Sequence, residues 1–183
     1  MRRPIIPLAA ALIPALAAAA ATAPPPLAAG AKPCLSLTAA SAEEAQGAAS
    51  QRFSASRTTD LTFRLYLDPA LTGAHTVELR VFTPRGFLYR SLAVPVSLGS
   101  GARASAASAG EERLIAGYPH PLKVHAATRD TLAGAAVQRV EVAFPVGGTD
   151  IVSNSVYGKW KVEPYLDGGA TSCGPAATFR ITQ

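Results

Sequence analysis

Apolar and polar residues alternate through most of the chain. Leu61, Phe63, Leu65 and Leu67 are separated by Thr62, Arg64 and Tyr66, a period of two that predicts a strand with one buried face. Val77, Leu79 and Val81 alternate with Glu78 and Arg80 in the same way, and the Asp68-Pro69 and Gly73 between the two runs carry turn chemistry. Pro84-Arg85-Gly86 then supplies a turn and leads into Phe87 to Leu98, so the three segments predict a meander. Further apolar faces follow at Leu122, Val124 and Ala126, at Val140, Val142, Phe144 and Val146, at Trp160, Val162 and Leu166, and at Phe179 with Ile181. Asp167-Gly168-Gly169 reads as the loop of a closing hairpin, with Cys173 inside the connection. Seven or eight short strands joined by Gly/Pro turns predict an all-β antiparallel sandwich.

Residues 39–49 are the one helical candidate, and they lack an apolar stripe, which predicts a loop or a marginal helix. The Gly/Ser/Ala run of residues 99–110 contains no large apolar side chain and predicts a flexible surface loop over 99–113. Pro95, Pro145 and Pro164 fall inside strand patterns. Because proline cannot donate to a ladder, they predict edges, strand ends or bulges that discourage edge-to-edge association, or an edge open to a partner strand.

The N-terminus changes the meaning of the composition. Arg2 and Arg3 precede an uncharged apolar stretch from Ile5 to Ala21, three prolines follow at 24–26, and Ala29-Gly30-Ala31 forms a small-residue cleavage pattern. This predicts a cleaved signal peptide over 1–31, an N-terminal strand and loop over 32–59, and a sandwich over 60–183. Of the 38 alanines, 13 lie in the first 31 residues, so much of the 49% hydrophobic content belongs to the leader. Without it, 15 basic residues face 12 acidic ones, a mild excess with no long basic run. That balance, with export, predicts no nucleic-acid partner and treats Lys159, Lys161, Arg85 and Arg90 as solvated strand positions. No later segment is apolar enough to predict a membrane span. Four lysines and a single asparagine beside abundant Ala, Arg, Pro and Gly suggest a bacterial genome rich in G and C.

Two cysteines remain, Cys34 and Cys173, an even count that in an oxidising compartment predicts one disulfide tying the first strand to the last hairpin. Neither has a thiol or imidazole neighbour of the kind a zinc or iron–sulfur site requires. His120 lies within Tyr118-Pro119-His120-Pro121 and His125 follows, but a blue-copper set also needs a Cys beside them and commonly an axial Met, and the only Met is Met1. No cofactor is therefore expected. Ser97-Leu98-Gly99-Ser100-Gly101 has the wrong spacing for a nucleophile elbow, and Ser153 and Trp160 occupy positions that a phosphate loop reserves for Gly and Ser/Thr. An enzymatic alternative, a small secreted hydrolase or inhibitor, would need a pocket gathering His120 or His125 with Asp130 or Asp150.

Trp160 shares the inward face with Val162 and Leu166, which predicts a core anchor. The alternative is a stacking platform for a sugar or peptide, extended by Tyr66, Tyr157 and Tyr165 if one open sheet gathers them. The segments Phe144-Pro145-Val146-Gly147-Gly148-Thr149, Tyr157-Gly158-Lys159-Trp160-Lys161-Val162, Tyr165-Leu166-Asp167-Gly168 and Thr178-Phe179-Arg180-Ile181 resemble the closing strands of bacterial immunoglobulin-like domains, macroglobulin-like envelope modules among them. Val81-Phe82-Thr83-Pro84-Arg85-Gly86 is similar to an early turn of such modules, and the likeness covers residues 60–98 and 137–182. The resemblance implies an immunoglobulin-like sandwich of seven to eight strands that serves as a spacer, adhesive unit or interaction surface. It carries over no catalytic residue. The expected function is thus an exported non-catalytic structural or protein-interaction module of a bacterial envelope or secretome. The expected partner is a protein, with a glycan as the alternative for a carbohydrate-binding module.

Overall fold

The computed structural model describes residues 32–41, 51–99 and 110–183. The expected signal peptide, most of the helical candidate and residues 100–109 of the expected loop lie outside them. Twelve strands form: β1 (Cys34–Ser41), β2 (Arg52–Ser54), β3 (Asp60–Leu67), β4 (Gly73–Phe82), β5 (Leu88–Leu98), β6 (Glu112–Arg113), β7 (Leu122–Lys123), β8 (His125–Ala126), β9 (Thr128–Leu132), β10 (Ala135–Pro145), β11 (Gly158–Leu166) and β12 (Ala177–Thr182). One helical turn, α1 (Asp150–Ser153), links β10 to β11. The protein is all-β. Twelve strands exceed the seven or eight predicted, and four of them (β2, β6, β7 and β8) have only two or three residues. Such short bridges are made by whatever backbone lies alongside, and they leave no periodic signal.

Two sheets carry the core, a four-stranded one ordered β1-β3-β10-β9 and a six-stranded one ordered β2-β12-β11-β4-β5-β8. Pairing is mostly antiparallel, but β2 and β8 join the edges of the larger sheet in parallel, which corrects the expectation of a wholly antiparallel fold. The predicted meander is corrected too. β4 and β5 form a hairpin, while β3 lies in the other sheet between β1 and β10. The connection at 68–72 therefore passes from one sheet to the other, and Gln138 fixes that crossing. Its buried amide donates to the Leu71 carbonyl at 2.7 Å and accepts from the Gly99 amide at 3.1 Å, joining the crossing to the end of β5.

Alternation puts one side chain in two between the sheets. Phe63 and Phe144 come from the smaller sheet, Trp160 and Phe179 from the larger, and all four are buried. Phe63 lies 5.4 Å from Phe144 and 5.6 Å from Phe179, while Trp160 stacks on Phe179 at 6.3 Å and meets Tyr89 edge-on at 5.2 Å. The indole N–H, which burial would otherwise leave unpaired, donates to the Val156 carbonyl at 3.2 Å. Leu122, Val124 and Ala126 do not form the single predicted strand. Val124 is buried while its neighbours pair in opposite directions, Leu122 and Lys123 with β6 and His125 and Ala126 with β5. The β6 strand also replaces the C-terminal end of the loop predicted over 99–113.

The prolines sit where no ladder bond is lost. Pro145 ends β10. Pro164 turns its carbonyl toward the Cys173 amide, on the side of β11 that β12 has already left. Ser91 and Ser97, an even number of residues from Pro95, turn their carbonyls to Tyr118 and Ala127, so Pro95 also faces away from β4.

A disulfide joins Cys34, at the start of β1, to Cys173 in the β11–β12 connection, and so links one sheet to the other. Cys34 N–H donates to the Cys173 carbonyl at 3.1 Å, and a Cβ on the adjacent Gly174 would collide with the Cys34 carbonyl. This close approach is open only to glycine. The bond closes a loop spanning 139 positions, for which the chain-entropy account gives about 4 to 5 kcal/mol. The double substitution Cys34→Ala/Cys173→Ala should lower the urea unfolding free energy by about that amount. Gln138→Leu, which strands the Leu71 carbonyl and Gly99 amide, should cost about 2 kcal/mol in the same experiment with an unchanged denaturant slope.

Candidate functional site

The outer face of β4 and β11 holds the densest set of linked polar side chains. Register places Glu163 opposite Arg80 and Tyr165 opposite Glu78. Arg80 donates through Nε and Nη2 to the two Glu78 carboxylate oxygens at 2.9 and 3.2 Å, and Ser91 Oγ donates to Glu78 Oε1 at 2.5 Å. The Arg80 guanidinium lies 3.9 Å over the Tyr165 ring. Tyr165 in turn donates its hydroxyl to Glu163 Oε2 at 2.9 Å, while Lys161 Nζ stands 2.9 Å from Glu163 Oε1 and 4.8 Å from the Phe82 ring centre. The result is one continuous relay from Ser91 to Phe82 in which cations, anions and π faces alternate.

The electrostatics follow from these contacts. The Arg80 hydrogen bonds hold the Glu78 carboxyl below the usual carboxylate range, against the opposing effect of burial. The Lys161 hydrogen bond does the same for Glu163. Tyr165 is pushed up, chiefly because its hydroxyl donates to the Glu163 carboxylate, a bond that ionisation would destroy. The guanidinium of Arg80 is held more firmly protonated by Glu78.

Residues 114–118 pass across this face and enclose a groove of about 620 Å³. Tyr118 pins the segment by donating its hydroxyl to the Ser91 carbonyl at 3.2 Å. Thr76, Glu78, Ser91 and Ala93 line the sheet side of the groove, with Asp167 and Gly168 beyond. Asp167 is fixed in turn. Its Oδ1 accepts from the Thr76 amide at 2.8 Å and its Oδ2 lies 2.7 Å from His75 Nδ1, while His75 Nε2 lies 3.0 Å from the Thr72 carbonyl.

The four aromatic residues proposed from the sequence occupy different places. Trp160 is in the core. Tyr157 packs against the core just before β11. Tyr66 lies on β3 in the other sheet, paired with Ser36 on one side and Arg139 on the other. Tyr165 is on the outer face of the larger sheet but only 8% exposed beneath Arg80. The structure therefore does not bring the four together. Nor does it gather His120 or His125 with the acids proposed for them: both are exposed, Asp130 is held by Arg139 at 2.6 Å, and Asp150 heads α1. Among the described residues, no cluster of three His, Cys, Asp or Glu side chains converges. Alternation already turned Glu78, Arg80, Lys161, Glu163 and Tyr165 outward, but it could not show that β4 and β11 are neighbours; turn chemistry marked Asp167 only as a loop residue, and nothing in the sequence signalled Tyr118.

No protein-family model matches the chain, and no curated protein matches it in sequence. Among the described residues no helix is long and apolar enough to cross a membrane.

Glu78 and Glu163 have folded-state pKa values below their unfolded ones. Their contribution to stability is therefore fully present above the ordinary glutamate range, near pH 4 to 5, and is lost as pH falls through the lowered values. Arg80→Met removes both guanidinium donors from Glu78, leaving only Ser91, and uncovers Tyr165. Its destabilisation, about 1 kcal/mol at neutral pH, should shrink toward zero as urea unfolding is repeated below pH 4. A deficit independent of pH would contradict the assigned network.

Proposed function

We propose that the protein is an exported, non-catalytic module of a bacterial envelope or secretome, built on an immunoglobulin-like sandwich and acting through its surface. Strand order carries this reading. The order β1-β3-β10-β9 corresponds to A-B-E-D, and β12-β11-β4-β5 to G-F-C-C′, the arrangement of immunoglobulin domains. The N-terminal segment supports it further, since β1 joins the first sheet and β2 the second, as a strand split between two sheets does. The disulfide here joins the first strand to the F–G connection instead of strands B and F, so the likeness is one of topology and not of the antibody cross-link. That bond favours an oxidising compartment, in keeping with the arginine-led apolar N-terminus.

The reading predicts that the exported protein lacks residues 1–31 and is two hydrogens lighter than its dithiol form, both measurable on the intact mass. Lysine-directed cross-linking in the native envelope fraction should join Lys159 or Lys161 to another polypeptide. Turnover of simple esters or glycosides by the purified protein, lost on substituting any groove residue, would refute the non-catalytic assignment.

A further inference from the structure

The charge of the described residues is unevenly placed. They include fourteen Lys and Arg against ten Asp and Glu. At the end of the sandwich formed by the β4–β5 turn and the start of β11 stand Arg52, Arg57, Arg85, Arg90, Lys159 and Arg180, accompanied by Asp60 and Asp150. Lys161, the register partner of Phe82, stands at the same level but is bonded to Glu163. The centre of this end is a row across three strands: Lys159 on β11 is the register partner of Arg180 on β12, which is the register partner of Arg52 on β2. All three are exposed, and among the described residues Lys159 and Arg180 form no ion pair. Like charges directly opposite one another across strands destabilise a sheet. Lys159 and Arg180, directly opposite one another, repel, and an external anion would offset that repulsion.

A second feature occupies the same end. The β4–β5 turn projects Phe87, 69% exposed, and Leu88, 55% exposed, between Arg85 and Arg90. The turn is fixed beside the cationic row because Gly158, which precedes Lys159, packs against the Pro84 ring with no room for a Cβ. Within the turn, Thr83 N–H donates to the Phe87 carbonyl at 2.9 Å and Gly86 N–H to the Thr83 carbonyl at 2.9 Å, so the apolar pair stands on a closed hairpin.

We propose that this end is a peripheral membrane-binding surface for anionic phospholipid bilayers. Phe87 and Leu88 enter the interfacial region, and Arg85, Arg90, Lys159 and Arg180 meet the phosphates. Charge complementarity selects an anionic partner. The hairpin selects a bilayer among anionic partners, because a convex apolar tip flanked by arginines suits a deformable surface with apolar depth, whereas a soluble polyanion would engage the cations and leave Phe87 and Leu88 in water. The inference needs only the placement of these residues and is independent of the immunoglobulin-like reading.

Co-sedimentation of the purified, disulfide-bonded protein with vesicles tests it. Partition into phosphatidylcholine vesicles containing phosphatidylglycerol should exceed that into pure phosphatidylcholine by at least about tenfold and should weaken as salt is raised. Lys159→Gln/Arg180→Gln and Phe87→Ser/Leu88→Ser should each lower it roughly tenfold with unchanged thermal unfolding. Arg113→Gln/Lys123→Gln, on β6 and β7, should leave it intact. Equal partition into both vesicle types, no partition, or equal loss in the β6–β7 variant would overturn the proposal. So would a Phe87→Ser/Leu88→Ser variant that binds as tightly as wild type, or tight binding to dextran sulfate without binding to vesicles, which would mark a site for soluble polyanions.

Discussion

The rest of the structure depends on the aromatic contact between the two sheets. Phe63 and Phe144 on one side meet Trp160 and Phe179 on the other, with Tyr89 closing the group edge-on. Buried aromatics each remove a large apolar area from water and add specific ring geometry. Because strand side chains alternate, committing these residues to the interior commits their neighbours to the outside. Trp160 inward fixes Lys159 and Lys161 outward, and Phe179 inward fixes Arg180 outward. A slip of one residue in β11 would bring Lys159 and Lys161 into the aromatic core and lift Trp160 into water, which is why the register is firmly specified.

Sheets held only by apolar contact can still slide and splay at their edges, and two covalent or polar ties act there. The disulfide binds the first strand of one sheet to the last connection of the other, and the paired amide and carbonyl of Cys34 and Cys173 extend that tie into the backbone. At the β3–β4 crossing, Gln138 satisfies backbone groups that would be buried without partners. The N-terminal segment thus contributes to both sheets, and the chain order of the strands is reinforced at the places where the ladders end.

Much of this was readable from the residues, and the failures share one cause. Period-two alternation located β3, β4, β10, β11 and β12, turn chemistry located β5 and the β4–β5 and β11–β12 hairpins, and the cysteine count located the disulfide. Alternation reports which face a side chain takes but says nothing of which strand lies beside it. The meander misplaced β3 for this reason, since Asp68-Pro69 looks the same whether the chain returns to its own sheet or crosses to the other. Leu122, Val124 and Ala126 misled differently, because Val124 alone is buried and its neighbours serve two separate pairings. The relay from Ser91 through Arg80 and Tyr165 to Lys161 was invisible on the same ground, as its members come from three strands and meet only through register. Tyr165 shows the limit most clearly: an outward tyrosine looks like a free stacking surface until the Arg80 opposite Glu163 is seen to cover it.

The two halves of the outer face of the larger sheet differ in a way that bears on function. Toward the β4–β5 base, each charge has an opposite charge within bonding distance, and the depressed Glu78 and Glu163 carboxyls express that closure. A face so satisfied offers an incoming ligand little, because any new contact must first replace an existing one of similar strength. Toward the hairpin tip the same sheet sets Lys159 and Arg180 side by side and leaves Phe87 and Leu88 in solvent. Both features oppose folding stability, by like-charge repulsion and by exposed apolar area, and neither is required by the core, since solvent-facing positions on β11 and β12 would accept neutral polar residues equally well. Local rules broken without a structural return are the places where a sequence answers to something outside itself. The physical asymmetry within one sheet therefore places the working surface of this protein at the hairpin end and leaves the salt-bridged half as its rigid support.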